Sequence, residues 1–280
     1  MDIHFFDHNP AMPKDWRGGA QDCAFLFLPE GKTMLVDTGF DFTASRTLNW
    51  LASIGAPKAI DVLVISHYHS DHIGGFRALL EAGYTFGVIY SPVWGLKNCN
   101  IHPDYFQALK DYGLRETRLR AGDSFTLGGV FFQVLWPLPD APDSPDYDRD
   151  DYAANIFSLL VKMTWGNFTA LLTGDSDGIS QDWLLSRCPE KLRGISLLKM
   201  MHHGSSYSTP REAFMALTAP LVTVTMAPAY WCPVTRGYLD AYGRERYLTG
   251  KEGHIRIATD GKTMQAFTEK DGQGQLFTLD

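Results

Sequence analysis

The segment that most constrains the fold is a histidine-rich stretch placed directly after an apolar one. Residues 62–65 are continuously apolar, which favours a strand buried on both faces, and a helical pattern covers residues 73–83. The stretch between them has the form H-x-H-x-D-H and contains His67, His69, Asp71 and His72. Three imidazoles and a carboxylate at a strand end suit two neighbouring divalent ions. A solvated polar loop is the alternative interpretation.

Two further strand ends carry residues of the same kinds. An apolar run over residues 168–173 leads into Gly174 and Asp175, and another over residues 195–201 leads into His202 and His203. Alone, a Thr-Gly-Asp segment is usually a turn with an aspartate hydrogen bond, and a histidine pair is often a capped strand end. Together with the first stretch, they predict strands that converge at one edge, with Asp175 placed to bridge two ions.

The pattern of elements predicts an α/β (α+β) fold. Predicted strands lie at residues 3–7, 23–29, 33–38, 62–65 and 88–93, and predicted helices at 41–54, 73–83 and 103–112. A β pair at 125–137 is followed by strands at 156–164, 168–173, 195–201 and 221–226 and helices at 179–187 and 210–217. An acidic, proline-rich loop at 137–152 joins two similar halves, 1–136 and 153–280. We therefore expect one αββα sandwich over residues 1–280.

Composition excludes several classes of protein. Hydrophobic residues are 45% and charged residues 20%, which is typical of a folded globular chain. Lys and Arg number 25 against 32 Asp and Glu, so the net charge of −7 gives no global attraction for nucleic acid, although a local basic groove is not excluded. The chain starts without a signal-peptide pattern, and no run approaches the ~18 apolar residues of a membrane span. We expect a cytoplasmic protein with no membrane segment.

These motifs resemble those of the metallo-β-lactamase-fold hydrolases, and within them the ComEC-type competence subfamily. Members of that subfamily carry S-H-x-H-S-D-H-I-G-G, then L-L-T-G-D, then L-K-x-x-H-H-G-S, and this chain has all three in that order. The similarity also covers residues 35–39 near the start and 253–261 near the end. It implies a four-layer αββα sandwich with two mixed β-sheets.

The resemblance also implies roles for individual residues. The metal ligands would be His67, His69, Asp71, His72, Asp175 and one of His202 and His203. We prefer His203 as the ligand. His202 would lie outside the ligand set, in contact either with a ligand or with substrate. Asp71, His203 and His202 are then the candidate catalytic residues. Asp37 would be a carboxylate outside the ligand set that orders the ligand loop.

Two segments depart from the superfamily pattern. Many members have another metal-binding histidine before the bridging aspartate, whereas the corresponding segment here contains Asn155. Asn155 is expected to take that place beside the ligands, so that one ion keeps an open or water-filled position. The late Tyr-Gly-His-Pro segment of the family reads Tyr-Trp-Cys-Pro here, at residues 230–233. A substrate-contacting histidine is therefore absent, and a phosphodiesterase role does not follow from the family pattern alone.

The candidate residues predict metal-assisted hydrolysis. Two divalent ions, zinc by preference with manganese or iron as alternatives, would hold a hydroxide for attack on the substrate. The resemblance to the ComEC-type subfamily implies a phosphoester or phosphodiester. The net charge of −7 favours one that is small or short over long nucleic acid. Lys199 would either meet an anionic substrate or be structural, with its ammonium reaching solvent. The alternatives are a metal-binding protein with a vestigial or non-hydrolytic site, a lactone, lactam or thioester hydrolase of the same fold, and a redox diiron relative.

Overall fold

The protein's architecture is given by a computed structural model, which describes residues 1–8, 20–93, 103–138, 153–205, 208, 210–228 and 245–280. Within these ranges the strands form two sheets. The nine strands of the first sheet are β1 (Asp2–Phe5), β2 (Ala24–Phe27), β3 (Thr33–Val36), β4 (Ala59–Val64), β5 (Thr85–Pro92), β6 (Glu116–Leu119), β14 (Ile255–Thr259), β15 (Thr263–Thr268) and β16 (Gly272–Thr278). The seven strands of the second sheet are β7 (Ser124–Leu127), β8 (Val130–Trp136), β9 (Leu160–Trp165), β10 (Phe168–Leu172), β11 (Leu197–Lys199), β12 (Val222–Thr225) and β13 (Glu245–Leu248).

Short helices connect the strands. They are α1 (Ala44–Ser53), α2 (Ser70–Ile73), α3 (Phe76–Glu81), α4 (Pro103–Asp111), α5 (Ala153–Ile156), α6 (Gly178–Arg187), α7 (Glu212–Thr218) and α8 (Thr249–Glu252). Single 3₁₀ turns occur at Pro29–Gly31, Asp41–Thr43, Pro189–Leu192 and Met201–Gly204. In the described ranges, none of the helices combines the length and the apolar character needed to cross a membrane.

Both sheets are mixed, and their parallel parts carry the motifs. The first sheet has the order β16-β15-β14-β1-β2-β3-β4-β5-β6, with β3 to β6 parallel. The second has the order β13-β12-β11-β10-β9-β8-β7, with β10 to β13 parallel. Parallel neighbours end at the same edge, so the loops after β3 and β4 lie together, as do the loops after β10 and β11.

Three apolar cores hold four layers together. Alternate residues of β4 point to opposite sides: Val62 and Val64 pack into the core between the two sheets, whereas Leu63 packs into the core under α1, α3 and α4. A third core lies between the second sheet and α6 and α7, and includes Leu171 and Phe214. The order of layers is therefore helices, sheet, sheet, helices. The predicted mixed α/β sandwich with two mixed sheets is confirmed.

The chain is divided between the sheets differently from the two predicted halves. Strands β7 and β8 come from the first half but lie in the second sheet, and β14 to β16 return from the chain's last part to the first sheet. The predicted strand over 156–164 begins only at Leu160, because residues 153–156 form the helical turn α5. The N–H of Leu159 donates to the carbonyl of Ser66 (2.8 Å), which ties this segment to the histidine-rich loop. Most of the predicted acidic loop, residues 139–152, lies outside the described residues.

On β8, Phe132 points into the core between the sheets and its neighbour Phe131 points to solvent, so substitutions at the two positions test which face of the strand is buried. Phe132 is fully buried between the sheets, where its ring stacks on Phe125 at 4.7 Å, whereas Phe131 is 44% exposed. We expect Phe132→Ala to lower the free energy of unfolding by about 3–5 kcal/mol. Phe131→Ala should change it by about 0.5 kcal/mol or less. Urea denaturation followed by circular dichroism measures both, and equal losses would contradict the described faces.

Candidate metal centre

The histidine-rich loop follows β4 and is anchored to the end of β3 by Asp37. The Asp37 carboxylate accepts hydrogen bonds from the backbone N–H of Ser66 (2.7 Å) and from the Ser66 hydroxyl (2.7 Å). Its Oδ2 lies 2.8 Å from Nδ1 of His72, which is carried on α2. When a carboxylate holds the proton on Nδ1, Nε2 of the same ring carries a free lone pair and can bind a metal ion. Asp37 therefore orients His72 from behind.

Asp175 follows β10 through a tight turn at Gly174. A side chain at Gly174 is excluded: its φ is +51°, and an added Cβ would lie 2.8 Å from Cβ of Ser66 and 2.9 Å from Cβ of Ser158. The backbone N–H of Asp175 donates to the Ser158 hydroxyl (3.0 Å). The close approach brings this turn of the second sheet against the histidine-rich loop of the first.

The histidine pair follows β11 in an unusual backbone conformation. His202 and His203 both lie in the left-handed region, with φ of 45° and 51°. Residues other than glycine adopt this region at a cost of about 1–3 kcal/mol each, and such positions cluster at functional sites. The turn is held by a hydrogen bond from the N–H of His202 to the carbonyl of Gly174 (3.1 Å) and by one from Ser205 back to His202 (2.7 Å). The strained turn directs both imidazoles towards Asp175.

The motifs meet around one carboxylate oxygen. Oδ2 of Asp175 lies within 4.0 Å of the Nε2 atoms of four histidines, at 3.3 Å from His72 and His203, 3.7 Å from His202 and 4.0 Å from His67. These side chains come from both sheets, so the cluster is assembled across the sheet interface. Each of these four imidazoles presents its Nε2 to the carboxylate of Asp175.

The remaining two predicted ligands lie at the sides of this cluster. Oδ2 of Asp71 is 3.2 Å from Nε2 of His203 and 3.6 Å from Nε2 of His72. The ring of His69 lies 4.7 Å from that of His67, measured between ring centres. The structure thus brings together all of the histidines and aspartates that the sequence motifs singled out.

The donor set fits divalent metal ions. Asp71, His72, Asp175 and His203 each offer one ligand atom, and these atoms all lie within 4.8 Å of one another. Nε2 of His67 and Nε2 of His72 are buried and have no hydrogen-bond partner among the described residues. Buried polar atoms are rarely left without a partner unless something else binds them. Imidazole nitrogens with carboxylate oxygens are a typical set for zinc or for other first-row divalent ions.

The histidines and carboxylates of the cluster shift one another's pKa values. Burial lowers the pKa of His72 and of His203, but the carboxylates around them, above all that of Asp175, outweigh burial and raise both pKa values well above the ordinary one. Burial raises the pKa of Asp175, yet His203 and His72 hold it well below its usual range. Burial lowers the pKa of His67 and of His202. In the metal-free protein, protons on His72 and His203 therefore supply positive charge.

Two further charged residues lie in the site: Asp22, which the sequence did not single out, and Lys199, for which it left two roles open. Asp22 is buried, and its Oδ1 lies 3.1 Å from Nδ1 of His203. Lys199 forms an ion pair with Asp22 and donates to the carbonyl of Gly174 (2.9 Å). Its side chain is 5% exposed, so the ammonium does not reach solvent, contrary to one of the two predicted roles. Asp22 has a weak sequence signal, a single acidic residue two positions before the apolar strand β2.

Asn155 and His202 lie next to each other at the margin of the cluster. Nδ2 of Asn155, on α5, is 3.4 Å from Nε2 of His202, and Nδ1 of His202 is 2.8 Å from the Ser208 hydroxyl. His202 is the more exposed member of the histidine pair, at 15% against 3% for His203. Residues 230–233, where the family histidine is missing, lie outside the described residues.

The comparison with known families agrees with the fold and with the motifs. Residues 16–150 match the model of the metallo-beta-lactamase superfamily. A solved structure of the metallo-beta-lactamase fold protein YhfI from Bacillus subtilis has a similar fold, with a TM-score of 0.54 at 16% sequence identity over 89% of this chain and 96% of that one. Residues 16–150 are therefore similar to the metallo-beta-lactamase superfamily, and the chain has the fold of the YhfI structure.

More specific relatives are competence proteins. The chain is 27% identical over 160 residues to ComE operon protein 3 of Bacillus subtilis, covering 57% of this chain and 19% of the relative. It is 25% identical over 234 residues to competence protein ComA of Neisseria gonorrhoeae, covering 84% of this chain and 28% of that protein. The similarity to the ComEC-type subfamily is confirmed. The chain spans less than a third of the length of these curated relatives.

Proposed function

We propose that the chain is a hydrolase that uses two divalent ions, zinc or manganese, to cleave a phosphoester or phosphodiester. The observation that carries the proposal is the position of Asp175, whose Oδ2 lies within 4.0 Å of four imidazole Nε2 atoms from both sheets. A carboxylate surrounded in this way is poised to bridge two ions. A single structural ion would need only four closed ligands.

The described donors divide between two ions. Asp71, His72 and His203 would hold one, and His67 and His69 the other, with Asp175 shared between them. Among the described residues, four carboxylates, those of Asp22, Asp37, Asp71 and Asp175, surround the histidines, while one ammonium, that of Lys199, faces them. Once His72 and His203 give up their extra protons, as metal binding requires, the cluster carries an excess of negative charge in a largely buried site. Two divalent cations would offset this excess, and burial without them is costly.

The residues of the chain prepare the site for hydrolysis. When bound, the two ions would supply an activated water at neutral pH and polarise an oxygen of the substrate. Asp37 holds His72, and Ser158 holds Asp175 through its backbone, so the donors are fixed before substrate arrives. His202 is the partly exposed imidazole beside Asp175, with its other nitrogen held by Ser208. We assign it the contact with substrate.

An anionic, tetrahedral substrate centre suits this site better than a planar carbonyl. Asn155 lies 3.4 Å from Nε2 of His202, and if it stands where many superfamily members have a further histidine, the site would have room for a second substrate oxygen. The net charge of −7 argues against long nucleic acid, because binding that is independent of sequence needs several Lys or Arg contacts to phosphates. We therefore place small or short phosphodiesters above DNA and above lactams.

The test is metal analysis together with a substrate panel. Protein purified without added metal should bind two equivalents of zinc or manganese. With either ion it should hydrolyse bis(p-nitrophenyl) phosphate faster than a chromogenic cephalosporin. Asp175→Ala protein is the matched control, since activity that survives in it would come from a contaminant.

Other outcomes would favour the alternatives. Faster turnover of the cephalosporin, or of a lactone or thioester, would identify another hydrolase of the same fold. Two bound ions without turnover of any ester would favour a metal-binding protein whose site no longer hydrolyses. Absence of bound divalent ions would overturn the proposal as a whole.

A further inference from the structure

We propose that Asp22 and Lys199 form a positioning pair that fixes His203 and Asp175 from behind the metal centre. Asp22 lies outside the three motifs, and Lys199 is the lysine of L-K-x-x-H-H-G-S but not one of the expected ligands. Both are buried within the cluster. The inference rests on the proposed two-ion function. It concerns how tightly one of the two ions is held.

Asp22 contacts the site through both its side chain and its backbone. Oδ1 of Asp22 is 3.1 Å from Nδ1 of His203. On the other side of the same ring, Nε2 of His203 faces Asp71 at 3.2 Å and Asp175 at 3.3 Å. The backbone N–H of Asp22 donates to the carbonyl of Asp71 (3.3 Å), so Asp22 is also tied to the loop that carries this ligand. The contact at Nδ1 is an ion pair and does not have the geometry of a hydrogen bond. A carboxylate this close favours a proton on Nδ1 and leaves Nε2 free to bind a metal.

Lys199 fixes Asp22 in turn. Its ammonium forms an ion pair with Oδ2 of Asp22 and donates to the carbonyl of Gly174 (2.9 Å). It lies 3.7 Å from Oδ1 of Asp175, so this oxygen faces the ammonium while Oδ2 faces the imidazoles. The lysine thus joins the turn that carries Asp175 to the carboxylate that orients His203.

The ammonium also acts as a permanent cation in the second acidic group of the site. Ligand atoms of Asp22, Asp37 and His72 lie within 4.8 Å of one another, a grouping that would attract a metal ion. Because Lys199 is already paired with Asp22, part of this negative charge is neutralised without a metal. Divalent ions are therefore directed to the Asp71, His72, Asp175 and His203 side of the cluster.

The experiment measures the affinity for each of two equivalents of zinc by competition with a chelator. Asp22→Asn should weaken one equivalent by about 10- to 100-fold, the usual loss when a partner of a ligating histidine is replaced. The other equivalent should change by about twofold or less. Lys199→Met should weaken the same equivalent, because Asp22 loses its anchor. The absorption spectrum of the cobalt-substituted protein should change in both variants, which a purely structural role would not cause.

The double variant tests whether the two residues act as one device. If they do, the variant that combines Asp22→Asn and Lys199→Met should bind the affected zinc equivalent as tightly as Asp22→Asn alone, within about twofold. It also removes both buried charges together, and so replaces Asp22→Asn if that single variant fails to fold. The matched control is Asp61→Asn, which breaks the more exposed ion pair of Asp61 with Lys32 (2.9 Å).

Several results would overturn the inference. Unchanged affinity for both equivalents in a folded Asp22 variant would show that Asp22 positions nothing. Losses that multiply in the double variant would show two independent residues. If the unsubstituted protein bound no divalent ion, the proposed function would fail first and this inference with it.

Discussion

The affinity of Asp175→Ala protein for divalent ions is expected to fall by more than about 100-fold. Its hydrolytic activity should be lost with the ions. Replacing a residue that only contacts a ligand already lowers metal affinity by about 10- to 100-fold. Asp175 is the carboxylate that the candidate ligands surround, so its loss should cost more. Its Oδ2 lies within 4.0 Å of Nε2 of four of the imidazoles. Elemental analysis of protein purified without added metal, and titration against a chelator, measure the loss.

Asp61→Ala provides the control for removal of a carboxylate. Asp61 lies on β4 and pairs with Lys32 away from the histidines, so its loss should leave metal content unchanged. Both variants must unfold cooperatively in thermal melts, which separates loss of ligation from loss of fold. Full occupancy by two ions in the Asp175 variant would show that the shared ligand has been misplaced.

Metal affinity is expected to fall steeply on acidification. The carboxylates around His72 and His203 outweigh burial and raise the pKa of both imidazoles well above the ordinary value, so the metal-free protein holds a proton on each. An ion that binds both rings must displace both protons. For each displaced proton, the affinity falls about tenfold when the pH is lowered by one unit. Two protons are displaced, so the affinity for this ion should fall by about 100-fold from pH 7 to pH 6.

Proton release checks this expectation independently of activity. Calorimetric titration with zinc in two buffers of different ionisation enthalpy counts the protons released per ion. We expect about two for the ion held by His72 and His203. Binding without proton release, or affinity that is the same at both pH values, would contradict the assignment of protons to these rings.

The local part of the fold and the positions of the candidate ligands could be predicted from the sequence. The apolar run ending in the H-x-H-x-D-H stretch indicated β4 and its loop, because such a run between polar segments favours a buried strand. The same reasoning placed Asp175 after β10 and the histidine pair after β11. Parallel strands share an edge, so the side chains that follow them lie together once the strands pair.

The non-local part could not be predicted. Asp22 has no spacing or periodicity that marks it, since its role depends on contacts with His203 and Lys199, which lie far along the chain. The position of Lys199 was predicted, but whether its ammonium meets substrate, solvent or a buried carboxylate depends on tertiary packing. In the same way, the return of β14 to the first sheet depends on pairing with β1, which no local pattern specifies.

That return has a consequence for how the chain folds. β1 lies between β2 and β14, and the amino group of Met1 donates to the carbonyl of Thr259 across a sequence separation of 258 residues. While the chain is being synthesised, one edge of β1 has no β14 to pair with, and unpaired edges favour association with other chains. Pairings of such long range also slow folding. We therefore expect the first sheet to close only after synthesis of the last strands, and nascent chains that stop before β14 to aggregate.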